Sequence, residues 1–237
     1  MKTLSRTHTV TDTDTATASA ARASDSQRIL VWDAPVRVFH WLMALSFAGA
    51  WLSAEQDGWE GVHVTLGYTM AGLLAFRLLW GVFGTRYARF ADFVRGPARI
   101  ARYLGSLARG WPEHYTGHNP AGAAAVVALL ALTAVVTASG WAAWHEIGGE
   151  AIEELHEGLA GAMLGLVFIH IAGVLAGSRL HRENLVAAMI GGRKQGQPED
   201  AARRPWRGVA AAILLAVLAF WWLQWQGAPA WTKLIWP

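Results

Sequence analysis

Residues 155–178 read LHEGLAGAMLGLVFIHIAGVLAGS, an apolar run of membrane length that carries two histidines, His156 and His170. Crossing about 30 Å of hydrocarbon takes around 20 helical residues. Inside lipid, a helix or a closed barrel is the only form that satisfies its own backbone. An ionisable side chain at such depth is costly and marks a functional site by default. His156 and His170 lie fourteen residues apart, which on a helix is roughly 21 Å of rise and nearly four whole turns. Both imidazoles therefore point to nearly the same side, at two depths, and one helix offers two ligands to its neighbours.

Four further segments are long enough, or nearly so, to span: 36–54, 62–83, 121–144 and 208–225. The connections between them alternate in charge. The first, 55–61, holds Glu55, Asp57 and Glu60, and the third holds Glu146, Glu150, Glu153, Glu154 and Glu157, neither with a Lys or Arg. The second holds Arg86, Arg89, Arg95, Arg99, Arg102 and Arg109, and the fourth holds Arg179, Arg182, Arg193, Lys194, Arg203, Arg204 and Arg207. Basic loops stay in the cytoplasm, so the amino terminus and both basic loops are expected there. The acidic loops and the carboxyl terminus are expected on the other side of the membrane. The expected fold class is all-α: an integral membrane helical bundle with a four-helix core and a fifth, C-terminal transmembrane helix. The expected partition is a disordered leader over 1–28, a transmembrane domain over 29–193, and a cytoplasmic linker with the fifth helix over 194–237.

Composition agrees. Of 237 residues 54% are hydrophobic and only 16% charged, against about 25% charged in an ordinary soluble domain. The 14 tryptophans suit interfacial aromatic belts. A net charge of +3, segregated by loop, speaks for membrane orientation and against nucleic-acid binding. With no cysteine, disulfides, iron–sulfur clusters, thiolate-ligated haem and covalent haem attachment are excluded. The Thr/Ala/Ser-rich first 28 residues lack the apolar run of a secretory signal. In the second connection, 91–107 reads as a short amphipathic surface helix, with Arg95, Arg99 and Arg102 beside Phe93, Ile100 and Leu104, or else as a solvated linker helix. Segment 121–144, rich in small residues, reads as packing scaffold. Trp221, Trp222 and Trp225 read as the outer anchor of a peripheral last helix.

The alternation of helices sorts the histidines by depth. His63 opens the second segment and His156 the fourth, both at the acidic end, while His40 and His170 lie toward the basic end. Two matched pairs result, His63/His156 and His40/His170, each joining two helices. Paired neutral imidazoles on facing helices suit the axial positions of a haem iron, and bundle cores hold such cofactors. Zinc, the rival for paired histidines, wants four ligands close together. Gly67 and Gly72, with Gly158, Gly161 and Gly165, are expected to leave room for flat porphyrins, or else to serve ordinary helix packing. His145 is an alternative outer ligand. His114, His118 and His181 are expected at the cytoplasmic surface and His8 in the tail, in structural or solvated roles. Arg37 and Arg77 are candidate partners for haem propionates, Arg37 with a positive-inside anchor as the competing reading and Arg77 because an unpaired guanidinium in an apolar stretch is costly. His181, Glu183 and Asn184 form a candidate quinone site or proton path, with helix-end capping as the competing reading.

Several runs resemble the bacterial cytochrome b561 and Ni,Fe-hydrogenase cytochrome b family: VWDAPVRVFHW around His40, HVTLGYTMAGLLAFRLLWGVFG from His63, RYARFADFVRGP, GHNPAGA, and LHEGLAGAMLGLVFIHIAGVLAGSRLHRENLVAAMIGG. The resemblance covers about residues 29–193 and keeps the motifs in order. It implies a helical membrane protein with two non-covalent haem b groups, each held by two histidines, which map onto His40, His63, His156 and His170. It also implies electron relay between quinones and partner redox proteins. The expectation is thus an electron-transfer protein rather than a stand-alone enzyme. It would join a quinone/quinol pool to a periplasmic cytochrome c or oxidoreductase subunit. The alternatives are a haem-free histidine-relay proton channel or transporter, and a membrane anchor subunit of an oxidoreductase complex.

Overall fold

The computed structural model describes residues 27–94, 96–110, 113 and 115–226. Most of the leader, together with His8, Arg95 and His114, lies outside the described residues. The elements in chain order are β1 (Gln27–Leu30), α1 (Ala34–Ser53), α2 (Glu60–Phe83), α3 (Phe90–Phe93), α4 (Pro97–Ala108), α5 (Pro120–Trp144), α6 (Glu150–Leu180), α7 (Leu185–Gly191), β2 (Arg193–Gly196), a 3-10 turn (Pro198–Asp200) and α8 (Arg207–Trp225).

Helix starts follow from local chemistry. Asp33 caps α1, its Oδ1 accepting from Val36 N at 2.8 Å, with Pro35 preset in the first turn. Asn119 caps α5 in the same way, Oδ1 accepting from Gly122 N at 2.7 Å ahead of Pro120. Glu150 and Glu153 sit in the first turn of α6 and Arg179 in its last, each complementing the helix dipole. Asn184 Oδ1 accepts from Ala187 N at 2.8 Å and caps α7.

α2, α5, α6 and α8 are long and apolar enough to cross a membrane. The protein is a multi-pass membrane protein, and its surface shows why lipid is required: Phe83 is 80% exposed, Ile169 69% and Leu215 64%. α1 matches in length at 20 residues but is less apolar, because it carries Arg37 and His40; it lies in the bundle against α2 and α8. α5 packs along α6 and against α2, which confirms its scaffold role. Within the described residues α6 makes at most marginal backbone approach to α1 and α2. A central apolar layer nevertheless takes one buried residue from each of four helices: Phe47, Met70, Val136 and Met163.

A polar cap closes the basic end. β1 pairs antiparallel with β2, Ile29 opposite Lys194, and so links residues on either side of both domain boundaries drawn from the sequence. Lys194, 5% exposed, pairs with Glu183 at 3.3 Å and donates to Tyr115 O. Arg86 pairs with Asp200 at 3.0 Å, and Tyr87 OH donates to Asp200 O. The surface helix expected over 91–107 is two helices, α3 and α4. The chain is extended at Val94 and Gly96, and Pro97, which lacks an N–H, begins a new helix rather than continuing one. α4 buries Tyr103 and leaves Leu104 half exposed.

Candidate functional site

The bundle brings the four sequence-selected histidines together as two pairs. At the acidic end the ring centres of His63 and His156 are 6.1 Å apart; toward the basic end those of His40 and His170 are 6.4 Å apart. A metal–imidazole bond of roughly 2.0 Å, as histidine makes to zinc, plus roughly 1.1 Å from ring nitrogen to ring centre, puts two imidazoles on opposite sides of one metal atom about 6.2 Å apart. Both pairs match that spacing. Among the described residues no three His, Asp or Glu side chains converge on one point, so the donor set fits a metal whose remaining positions are filled by a macrocycle.

Hydrogen bonds fix the outer rings. His63 Nδ1 lies 2.8 Å from Ala50 O, and His156 Nδ1 lies 3.1 Å from Val136 O and 3.2 Å from Ser139 Oγ. A carbonyl oxygen only accepts, so Nδ1 carries the proton and donates, leaving the Nε2 lone pair for a ligand. His156 also needs Gly140: a Cβ there would stand 2.8 Å from His156 Cε1. Gly140→Val is therefore expected to displace the His156 ring.

The inner pair is framed by cations. Arg77 on α2 is 3% exposed, with its guanidinium over the rings of Phe90 (4.8 Å to the centre) and Phe93 (5.9 Å). Arg37, one turn before His40, donates from Nη1 to Ile190 O. Asp33, 1% exposed, was not singled out in the sequence. Its Oδ2 accepts from Trp80 Nε1 at 3.0 Å and Thr85 Oγ1 at 2.7 Å, tying the start of α1 to the end of α2. The D-x-P order before α1 was the available signal for the cap, but nothing local announced its two distant donors.

Other candidate residues carry structural contacts or stand away from the histidine pairs. At about 100° per residue, Gly158, Gly161 and Gly165 fall on the face of α6 opposite His156 and His170, and they are exposed there. Gly72 lines an apolar groove of about 690 Å³ between α2 and α8, away from the histidines. Of these glycines only Gly67 shares the His63 face, with open space where its Cβ would be. Among the described residues the backbone of α6 stands further from α1 and α2 than from α5. His145 closes α5 with Nδ1 2.8 Å from Trp141 O and its ring stacked on Trp141, rather than facing His63. Asn184 lends Oδ1 to the α7 cap and Glu183 is paired with Lys194; His181 closes α6. His118 lies partly buried, its ring between those of Trp32 and Phe93 at 4.5 Å from each, a structural placement.

Comparison with known proteins is consistent with this arrangement. Three relatives bear the name "Probable Ni/Fe-hydrogenase B-type cytochrome subunit". That of Rhizobium leguminosarum bv. viciae is 23% identical over 220 residues, covering 73% of this chain and 91% of its own. That of Rhodobacter capsulatus is 25% identical, covering 70% and 81%, and that of Bradyrhizobium diazoefficiens 22%, covering 73% and 89%. No solved structure matches the chain. The family model for prokaryotic cytochrome b561 matches residues 31–192, from the end of β1 to the start of β2 and through all four histidines. The chain is a membrane electron-transfer protein of the prokaryotic cytochrome b561 family.

Proposed function

We propose that the protein is a di-haem b cytochrome of the bacterial inner membrane, with His40/His170 and His63/His156 as the two axial pairs. The observation that carries this reading is the spacing of 6.4 and 6.1 Å in two pairs set fourteen residues apart along α6. Haem b, when bound, supplies a one-electron iron couple whose potential the protein tunes through ligands, burial and hydrogen bonds. The chain's own residues do the rest. His63 and His156 are held in the ligating tautomer by Ala50 O and Val136 O. Arg37 and Arg77 offer positive charge at the inner pair for haem propionates. Phe47, Met70, Val136 and Met163 form a dry layer between the pairs, which blocks water and protons while electrons pass. The pyridine haemochrome assay tests the reading: two haem b per chain support it, and colourless protein from haem-replete cells rejects it.

The charge pattern supports a cytoplasmic amino terminus and basic cap, with the acidic end in the periplasm. The partner there is a cytochrome c or an oxidoreductase subunit; the hydrogenase wording in the relatives' names favours the latter. The quinone site is assigned to the basic end at His181 and Asn184. Asn184 uses only its carbonyl in the cap, so its amide nitrogen is free to donate. Replacing both residues, as His181→Phe with Asn184→Asp to keep the cap, is expected to slow quinol-driven haem reduction tenfold or more in stopped-flow measurements. An unchanged rate rejects the assignment.

A further inference from the structure

Among the described residues, four buried nitrogen atoms toward the basic end have no hydrogen-bond partner: Arg37 Nε, His40 Nδ1, Arg77 Nη1 and His118 Nδ1. Buried polar atoms are satisfied in the great majority of cases, so such a cluster points to a missing acceptor. His118 is its least expected member. Its ring is clasped between Trp32 and Phe93, and Phe93 in turn lies under the Arg77 guanidinium. Burial, with the charges of Arg77, Lys194 and His170, pulls His118 down to about 3. It is therefore neutral at physiological pH and keeps one N–H to donate.

Four described carboxylates of the cap already have partners. Asp33 accepts from Val36, Trp80 and Thr85. Glu183 faces Lys194 and Gln195 N, Asp92 faces Arg89, and Asp200 faces Arg86. None of these four accepts from His118 or Arg77, which leaves both nitrogens in need of an anion. We propose that His118 and Arg77 together clamp a carboxylate side chain of the haem assigned to His40 and His170. This rests on that haem assignment and adds to it a residue from the GHNP run that the ligand argument did not use. A polar cavity of about 290 Å³, lined by Arg86, Tyr87, Tyr115, Asp200 and His118, lies beside the clamp. Its water is the rival partner for His118.

The test is an optical redox titration of the purified protein that resolves the two haems. His118→Phe keeps an aromatic ring between Trp32 and Phe93 but removes the donor. Reduction adds negative charge to the iron–porphyrin unit, so losing a donor to its carboxylate makes reduction harder. One midpoint potential should fall, the other should hold, and the one that falls should be the one missing from His170→Ala. Arg77→Met should lower the same potential, and the double variant should shift it by less than the sum. His118→Gln, which restores an N–H donor, should recover at least half of the shift. Selective loss of the same haem in His118→Phe also supports the clamp. Unchanged potentials, equal shifts in both, loss of both haems, or a shift in the haem that survives His170→Ala would overturn it, the first leaving cavity water as the partner. Absence of haem from the unaltered protein would overturn the haem assignment and the clamp together. Two unperturbed haems in the variants would overturn the clamp alone.

Discussion

Replacing His170 with alanine is expected to remove one haem of two and to abolish electron transfer across the membrane. A methyl group has no lone pair to bind iron. His40, left alone, would hold a macrocycle by one bond where two are needed for a six-coordinate low-spin centre. The haemochrome yield should fall to about half. The remaining haem should keep its spectrum, because the outer pair has its own hydrogen bonds at Ala50 and Val136. His156→Ala should give the complementary spectrum, with the inner haem retained. His145→Ala should change neither, since His145 faces Trp141. If His170→Ala keeps both haems, or loses both while the fold persists, the assignment of pairs fails.

The second large effect is expected at Asp33. Its carboxylate is 1% exposed and serves three donors: the cap of α1, the Trp80 indole and the Thr85 hydroxyl. Losing the cap costs about 1 kcal/mol, and each buried donor left without an acceptor costs about 1–3 kcal/mol. Asp33→Ala should therefore destabilise the protein by about 3–7 kcal/mol, measured by denaturation in detergent. Asp33→Asn keeps the capping oxygen but sets an NH2 donor where Oδ2 accepted from Trp80 and Thr85, so it should recover only the cap's share of about 1 kcal/mol. The haem loss should be selective, because Asp33 sets where α1 begins and hence where His40 points. The outer haem should survive in any folded fraction. Equal loss of both haems would mean that Asp33 supports the bundle as a whole rather than the inner pair.

Much of this was legible in the sequence because lipid imposes simple rules. Helix lengths followed from bilayer thickness, whereas the caps at Asp33 and Asn119 set the starts of α1 and α5 slightly ahead of the expected segments. The histidine pairs followed from helical period and alternating direction, which need no knowledge of side-chain packing. What was not legible depends on contacts between segments far apart in the chain. β1 and β2 are some 165 residues apart, and the RKQG of β2 has no alternating pattern to mark a strand. His118 becomes partly enclosed only when Trp32 and Phe93, distant from it in sequence, close on its ring. The glycines misled because a small residue serves a cofactor, a neighbouring helix or a lipid face equally well. Only the rotation of each helix decides among these, and for Gly158, Gly161 and Gly165 it is the lipid face.

The most direct measurement of the central claim is low-temperature electron paramagnetic resonance on the oxidised protein, with haem counted per chain on the same sample. Two low-spin ferric signals of bis-imidazole type, from two haem b per polypeptide, are the predicted result. His170→Ala should extinguish one signal and His156→Ala the other. A single low-spin signal at one haem per chain, or a spectrum of high-spin iron alone, would contradict the account.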